Sequence, residues 1–230
     1  MKKLFFLSLF TLASIAANAQ LVKSRTFAKE ESNTTWYTRL GLSFNNIAGN
    51  PEYLPWSNQG SDFSWGTKAG YDISFGFQKP ISHSDIYWGM DLGIGTRGYT
   101  NNYLLRDGNK INEKLNTHNV NFSPLTFGYK HEIFDQLSID LHIGGYFSYD
   151  FAYKQNLTYD ETGETYDEIE SYNSIDEHLV RYDAGIAAGA GVWYNRFNLD
   201  FTYQRGFINA IEYDEDMHSS KFMVRIGVRF

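Results

Sequence analysis

Apolar and polar side chains alternate along most of this chain with a period of two residues. Between residues 35 and 45, Trp36, Leu40 and Phe44 fall in one phase, whereas Arg39 and Ser43 fall in the other. Such alternation is typical of a β-strand with one apolar and one polar face. The segments that show it are about 35–45, 67–78, 86–97, 118–130, 137–149, 182–193, 196–205 and 221–230. The sequence therefore predicts an all-β protein with eight strands.

The fourth segment changes phase at Pro124. Val120 and Phe122 precede the proline, and Leu125 and Phe127 follow it in the opposite phase. Proline has no backbone N–H to donate to a neighbouring strand, and an extra residue shifts the alternation by one. We therefore expect a β-bulge at Pro124.

The connections between the segments are alternately long and short. Long loops on one side and tight turns on the other are typical of an up-and-down transmembrane barrel. Segments of about 10–13 residues are also long enough for a tilted strand to cross a bilayer. The long connections are about 46–66, 98–117, 150–181 and 206–220, and the short ones are about 79–85, 131–136 and 194–195. We expect an eight-stranded antiparallel up-and-down transmembrane β-barrel with its short turns in the periplasm.

The two faces of the strands differ in composition. A soluble barrel would carry many Lys and Glu on its polar face, but here Gly, Ser, Thr and Asn dominate, which suits the crowded lumen of a small barrel. The apolar face has no charge in the strand cores apart from Arg205 near an outer end, as expected for contact with lipid. Aromatic residues near the strand ends predict two interfacial girdles. The turn-side girdle is Trp36, Phe77, Trp88, Tyr129, Tyr194 and Phe197, and the loop-side girdle is Phe44, Trp65, Tyr99, Phe151, Tyr182 and Phe207.

The N-terminus has the pattern of an export signal. Lys2 and Lys3 precede an apolar stretch over 4–16, and Ala17-Asn18-Ala19 matches a small-x-small cleavage site. The predicted organisation is a cleaved signal peptide at 1–19, a periplasmic segment at 20–34 and a barrel domain at 35–230.

Composition narrows the function classes. The 230 residues include no cysteine, which excludes disulfides, thiolate metal sites and a cysteine nucleophile. The formal net charge of −7 argues against nucleic acid as a partner, because affinity for phosphate backbones depends on Lys and Arg.

A family resemblance rests on the C-terminus and on three internal stretches. The last strand ends in Phe230, as in bacterial outer-membrane barrels, whose terminal aromatic residue is read by the insertion machinery. The internal stretches resemble the PorT-like family of outer-membrane β-barrel proteins. They are Val120-Asn121-Phe122-Ser123-Pro124-Leu125 with Tyr129-Lys130, Tyr182-Asp183-Ala184-Gly185 with Gly189-Ala190-Gly191, and Tyr203-Gln204-Arg205-Gly206-Phe207-Ile208-Asn209. The resemblance implies a bacterial outer-membrane barrel, with secretion across that membrane as the role of the namesake members.

Candidate catalytic and metal-binding residues are sparse. Asp140, His142, Ser148 and Asp150 share one strand phase, but His142 and Ser148 are about 20 Å apart along a strand, too far for a nucleophile–base pair. The six His residues are dispersed, and we expect no catalytic residue, cofactor or dedicated metal site. The acidic stretches 150–181 and 206–220 are compatible with Ca²⁺ or Mg²⁺ beside lipopolysaccharide, although charged loops are usually only solvated.

Charges in the polar phase predict a network inside the barrel. Isolated charges in a confined space are disfavoured, so inward carboxylates and cations should pair. Asp200 and Arg225 are expected at similar height on the last two strands, with Arg39 on the adjacent first strand. The predicted interior charge network is Arg39, Asp72, Asp91, Asp140, Asp200 and Arg225.

The sequence favours a structural or interaction module with a plugged lumen, acidic extracellular loops and an outer-membrane location. Its expected partners are outer-membrane lipids, lipopolysaccharide, the insertion machinery during assembly and an unidentified envelope protein. Two alternatives remain open at this stage. One is a lipid-modifying hydrolase or acyltransferase of similar architecture, and the other is a narrow channel.

Overall fold

A computed structural model describes residues 34–48, 64–81, 84–104, 110–134, 136–159, 165–168, 180–210 and 217–230. The regular elements in these ranges are β-strands. They are β1 (Thr35–Ala48), β2 (Ser64–Gly66), β3 (Lys68–Pro80), β4 (Ile86–Leu104), β5 (Lys110–Phe134), β6 (Leu137–Tyr159), β7 (Thr165–Glu168), β8 (Tyr182–Tyr194), β9 (Phe197–Asn209) and β10 (His218–Arg229). Within the same ranges, no helix has the length and apolar character needed to span a bilayer. The predicted signal peptide and almost all of the predicted 20–34 segment lie outside the described residues.

The eight long strands form a closed antiparallel barrel. Their order is β4-β3-β1-β10-β9-β8-β6-β5, and β5 returns to pair with β4. The short strands β2 and β7 add to the outer parts of β4 and β6, respectively. Closure leaves no free sheet edge among the long strands, so their backbone groups are satisfied within the sheet. The predicted eight-stranded antiparallel barrel is confirmed.

Three strands run further than the alternation predicts. The segment 98–117 was expected to be a long connection, but β4 continues to Leu104 and β5 begins at Lys110. Similarly, β6 continues to Tyr159. Both predictions were wrong because the outward positions at these strand ends, such as Thr100 and Asn116, are polar, so the apolar alternation of the outer face gives no signal there. Backbone pairing between β4 and β5 nevertheless extends as far as Leu104 and Lys110.

The bulge predicted at Pro124 is present. Against β6, Phe122 pairs with Phe147 but Leu125 pairs with Gly145, so β5 has one residue more than its neighbour. A register shift on the β4 side occurs at the same level of β5. The extra residue restores the outward orientation of the apolar positions that follow it, since both Phe122 and Phe127 are exposed.

Burial in this barrel is the reverse of that in a soluble protein. On the outer surface, Leu40, Leu141 and Ile226 are 52%, 56% and 65% exposed. Inside, Arg39 and Asp140 are 3% and 0% exposed. An apolar band of this extent on the outside requires an apolar environment around the barrel.

The predicted aromatic girdles need one correction. Most of their members are exposed or half-exposed on the outer surface, including Trp36, Phe151 and Phe207. Tyr99, however, is only 6% exposed and packs inside the barrel. It was assigned to the girdle by its place near a strand end, whereas its phase along β4 directs it inward. The side chain of Trp65 lies outside the described part.

The β8–β9 turn consists of Asn195 and Arg196. Asn195 adopts a positive φ of 54°, which a short hairpin turn requires and which Asn tolerates better than most residues. Arg196 is exposed in this turn. Its carbonyl accepts a hydrogen bond of 2.9 Å from the backbone N–H of Arg229, which ties the turn to β10.

Candidate functional site: the barrel lumen

Three charged side chains and one glycine form a row across four adjacent strands of the lumen wall. Asp72 on β3 pairs with Gly41 on β1, Gly41 pairs with Arg225 on β10, and Arg225 pairs with Asp200 on β9. A Cβ atom at Gly41 would lie 2.8 Å from Cγ of Arg225 and even closer to the backbone. Glycine at this position therefore leaves the space in which the Arg225 side chain reaches both carboxylates.

Arg225 bridges Asp200 and Asp72. Its Nε and Nη2 atoms donate to Oδ1 of Asp200 at 2.9 and 2.7 Å, and its Nη1 donates to Oδ1 of Asp72 at 3.2 Å. The second oxygen of Asp72 accepts a hydrogen bond of 2.7 Å from Nζ of Lys221. Charge-assisted pairs of this geometry compensate one another where water is excluded.

Arg39 connects the Asp200–Arg225 pair to Asp91. Its guanidinium nitrogens lie 3.8 Å from Oδ2 of Asp200 and 3.9 Å from Oδ1 of Asp91. Its Nε donates to the side-chain oxygen of Asn198 at 3.2 Å. The Tyr37 ring centre lies 4.2 Å from the guanidinium carbon, and the Tyr37 hydroxyl donates to Asp91 at 2.7 Å. The structure thus brings five of the six predicted network residues into one cluster.

Asp140, the sixth predicted residue, binds neutral donors on the opposite wall. It accepts hydrogen bonds from Nε2 of Gln78 at 3.0 Å, from the Tyr87 hydroxyl at 2.7 Å and from Nε1 of Trp193 at 3.0 Å. His142 lies between this carboxylate and the central cluster, with its ring nitrogens 3.6 Å from oxygens of Asp140 and Asp200.

The hydrogen-bond directions around Thr202 fix one proton of His142. The Thr202 hydroxyl donates to Asp200 at 2.9 Å, and Oγ1 lies 3.1 Å from Nε2 of His142. Because a hydroxyl carries a single proton, Nε2 must be the donor in its contact with Thr202. Sequence reasoning left Thr202 out of the network, although its inward phase along β9 is a usable signal.

A second charged cluster lies towards the outer ends of the strands. Nη2 of Arg97 lies 2.5 Å from Asp150, and Nη1 lies 3.3 Å from Asp183. Asp183 also accepts hydrogen bonds from the hydroxyl groups of Tyr146, at 2.8 Å, and Ser219. The guanidinium of Arg97, on β4, therefore reaches across the lumen and connects carboxylates on β6 and β8.

An apolar cap lies inside the barrel beyond the second cluster. Its members are inward-facing and buried, and they are Ile47, Tyr99, Leu115, Tyr153, Ala210 and Met217. A cavity of about 20 Å³ lies where the cap meets Arg97 and Asp150. This volume is roughly that of one water molecule. Packed apolar side chains thus occupy much of the outer part of the lumen.

The contacts of His142 do not form the hydrolase site considered from the sequence. The hydroxyl that contacts His142 belongs to Thr202, and it donates its hydrogen bond to Asp200. The His142 side chain is only 7% exposed. Ser148 and Asp150 lie elsewhere on β6. In the described part of the chain, no three His, Asp or Glu side chains are grouped to hold a metal ion. Most of the acidic residues proposed for cation binding lie outside the described residues.

Replacing Tyr87 with Phe tests the hydrogen bonds around Asp140. The change removes a buried donor to a carboxylate, so we expect the free energy of unfolding in lipid vesicles to fall by about 1.5–3 kcal/mol. Tyr129→Phe is the matched control, because Tyr129 is 46% exposed and its hydroxyl lies 3.4 Å from His131. Its effect should stay within about 0.5 kcal/mol. Equal losses in the two variants would contradict a special role for the Tyr87 hydroxyl.

The closed sheet, the exposed apolar band and the charged lumen define a small integral outer-membrane β-barrel. A family model described as "Outer membrane protein beta-barrel domain" matches residues 14–212. The chain belongs to this family, and the outer membrane is accordingly its location.

Several solved structures of outer-membrane barrels are similar to this chain at low sequence identity. Ail of Yersinia pestis, in complex with the heparin analogue sucrose octasulfate, is 13% identical over 86% of this chain and 99% of that chain, with a TM-score of 0.38. Neisserial surface protein A is 11% identical over 85% and 97% of the two chains, with a TM-score of 0.41. OprG of Pseudomonas aeruginosa is 10% identical over 85% and 95%, with a TM-score of 0.37. Comparison with curated protein sequences finds no significant match.

Proposed function

We propose that this protein is a structural or interaction module of the outer membrane with a non-conducting lumen. The observation that carries the proposal is the filling of the lumen by two ion clusters and an apolar cap. The central cluster joins Arg39, Asp200 and Arg225, and the outer cluster joins Arg97, Asp150 and Asp183. A barrel whose interior is filled in this way offers its outer surface and its loops for interaction.

We also propose how the protein reaches the membrane and which partners it contacts there. The signal peptide 1–19 is cleaved after export, the segment 20–34 stays in the periplasm, and Phe230 is read by the insertion machinery. Outer-membrane lipids and lipopolysaccharide contact the apolar band, and an envelope protein contacts the long acidic connections. The resemblance to the PorT-like family supports an association with secretion. Nucleic acid is not among the proposed partners.

The geometry does not favour the enzyme alternative. A lipid-modifying enzyme needs a histidine, a hydroxyl and a carboxylate converging near one membrane interface. His142 has these neighbours, but its ring is buried between Asp140 and Asp200 inside the lumen, away from the outer surface where lipids lie.

Planar-bilayer recording tests the plugged lumen. We expect the purified wild-type protein to give no steady single-channel conductance, because ions would have to pass Arg225 and Arg97, which are engaged with carboxylates, and the apolar cap. An open porin prepared in the same detergent serves as the positive control. Steady conductance steps that scale with salt concentration would favour the channel alternative. Lipid deacylation by the wild type that is lost in His142→Ala would favour the enzyme alternative.

A further inference from the structure

Arg205 occupies an unusual position on the outer surface of β9. Residues of this strand alternate between buried and exposed, and Arg205 falls in the exposed phase with Tyr203 and Phe207. Those two residues are 47% and 61% exposed, and Phe207 belongs to the outer aromatic girdle. Arg205 thus places a permanent positive charge within the apolar band, near its outer boundary.

Arg205 also differs from the arginines of the lumen in its contacts. Guanidinium nitrogens of Arg39, Arg97 and Arg225 lie 3.8, 2.5 and 2.7 Å from carboxylate oxygens. Within the described part of the chain, the Arg205 side chain has no hydrogen-bond or ion-pair partner. No carboxylate among these residues therefore neutralises the Arg205 guanidinium.

The surroundings of Arg205 indicate the chemistry of a counter-charge. Its cross-strand neighbours are Ser220 on β10, whose hydroxyl donates to the carbonyl of Asn46 at 3.4 Å, and Ile186 on β8, which adds apolar surface. A long side chain near the end of a membrane strand extends its charged head towards the headgroup layer. The forked donors of a guanidinium match the oxygens of a phosphate, and headgroup phosphates are the anions found at this depth.

We propose that Arg205, with Ser220 beside it and the rings of Tyr203 and Phe207 around it, binds a phosphate of an outer-leaflet lipid. The acyl chains of that lipid lie against the apolar surface below Arg205, where Ile186 and Phe201 are exposed. The site rests on the proposed function in one respect, namely that the long connections face the outside of the cell.

Lipid titration of the full-length protein in phosphatidylcholine vesicles tests this site. Lipid A carrying both phosphates is added to one series and dephosphorylated lipid A to a second, and bound lipid is counted by native mass spectrometry. We expect the wild type to prefer the phosphorylated form. Arg205→Gln should weaken its binding about fivefold or more, since a charge-assisted pair is lost, and Arg205→Lys should fall between the two. Arg196→Gln, at the opposite end of β9, is the matched control and should bind like the wild type.

Three results would overturn the lipid site. They are equal binding of the two lipid forms by the wild type, unchanged binding by Arg205→Gln, and complete competition by inorganic phosphate, which would indicate a free-anion site instead. Heat-modifiable mobility in gels checks that each variant is folded, and if Arg205→Gln does not fold, the comparison of the two lipids on the wild type decides alone. Failure of the lipid site leaves the bilayer recordings unaffected, so it is distinguishable from failure of the plugged-lumen proposal.

Discussion

Replacing Asp200 with Asn is expected to lower the free energy of unfolding by about 3–5 kcal/mol. Asp200 is fully buried, accepts two hydrogen bonds from Arg225 and lies 3.8 Å from Arg39. Removing its charge leaves these two buried guanidinium groups with too little compensation. The free energy of unfolding is measured by urea titration in lipid vesicles. Heat-modifiable mobility in gels reports the folded fraction at each urea concentration.

Two further variants separate the buried pair from a general effect of charge. Asp85→Asn removes a carboxylate that lies 2.8 Å from Nδ1 of His131, but the Asp85 and His131 side chains are both about half exposed, so the loss should be only about 0–1 kcal/mol. The double variant Asp200→Asn with Arg225→Met should lose less than the sum of the single changes, because the uncompensated cation is also removed. Additive losses in the double variant, or equal effects at Asp85 and Asp200, would contradict the network.

Replacing Phe230 with Asp, or deleting it, should strongly reduce the amount of assembled barrel. The backbone N–H of Phe230 donates to the carbonyl of Trp36 at 3.0 Å, which closes the seam between the last and first strands. Its ring stacks on Phe75, 6.2 Å away, and Phe75 stacks on Trp36 at 5.4 Å. Loss of the ring should cost about 1–3 kcal/mol of stability, in addition to the loss of the proposed assembly signal.

The matched control for Phe230 is Phe134→Asp. Phe134 is also an exposed aromatic residue at the turn-side end of a strand, but it lies away from the seam. Quantifying folded and unfolded bands in outer-membrane fractions compares the two variants. Equal assembly of the Phe230 and Phe134 variants would contradict a special role for the terminal residue.

The amino-acid sequence determined the strand number, the antiparallel barrel and the identity of its inner and outer faces. It could do so because alternation with period two reports directly which side of a strand meets an apolar environment, as Leu40 and Arg39 show. The bulge at Pro124 was predictable for the same reason, since an inserted residue reverses the phase. The family assignment also follows from the sequence, since the family model matches residues 14–212.

Only the tertiary structure decided how the interior is arranged. The position of a residue in the alternating pattern shows whether its side chain lies inside the barrel. The stagger between strands, however, sets which inward side chains contact one another. That stagger brings Arg225 to both Asp72 and Asp200, and it directs Asp140 to Gln78, Tyr87 and Trp193 instead of to a cation. The cap around Tyr99 and Met217 was not predictable either, because its apolar residues occupy the inward phase, which is mostly polar elsewhere along the strands. Arg205 stands out in the sequence as a charge on the apolar face, but only the positions of the surrounding strands showed that it has no partner among the described residues.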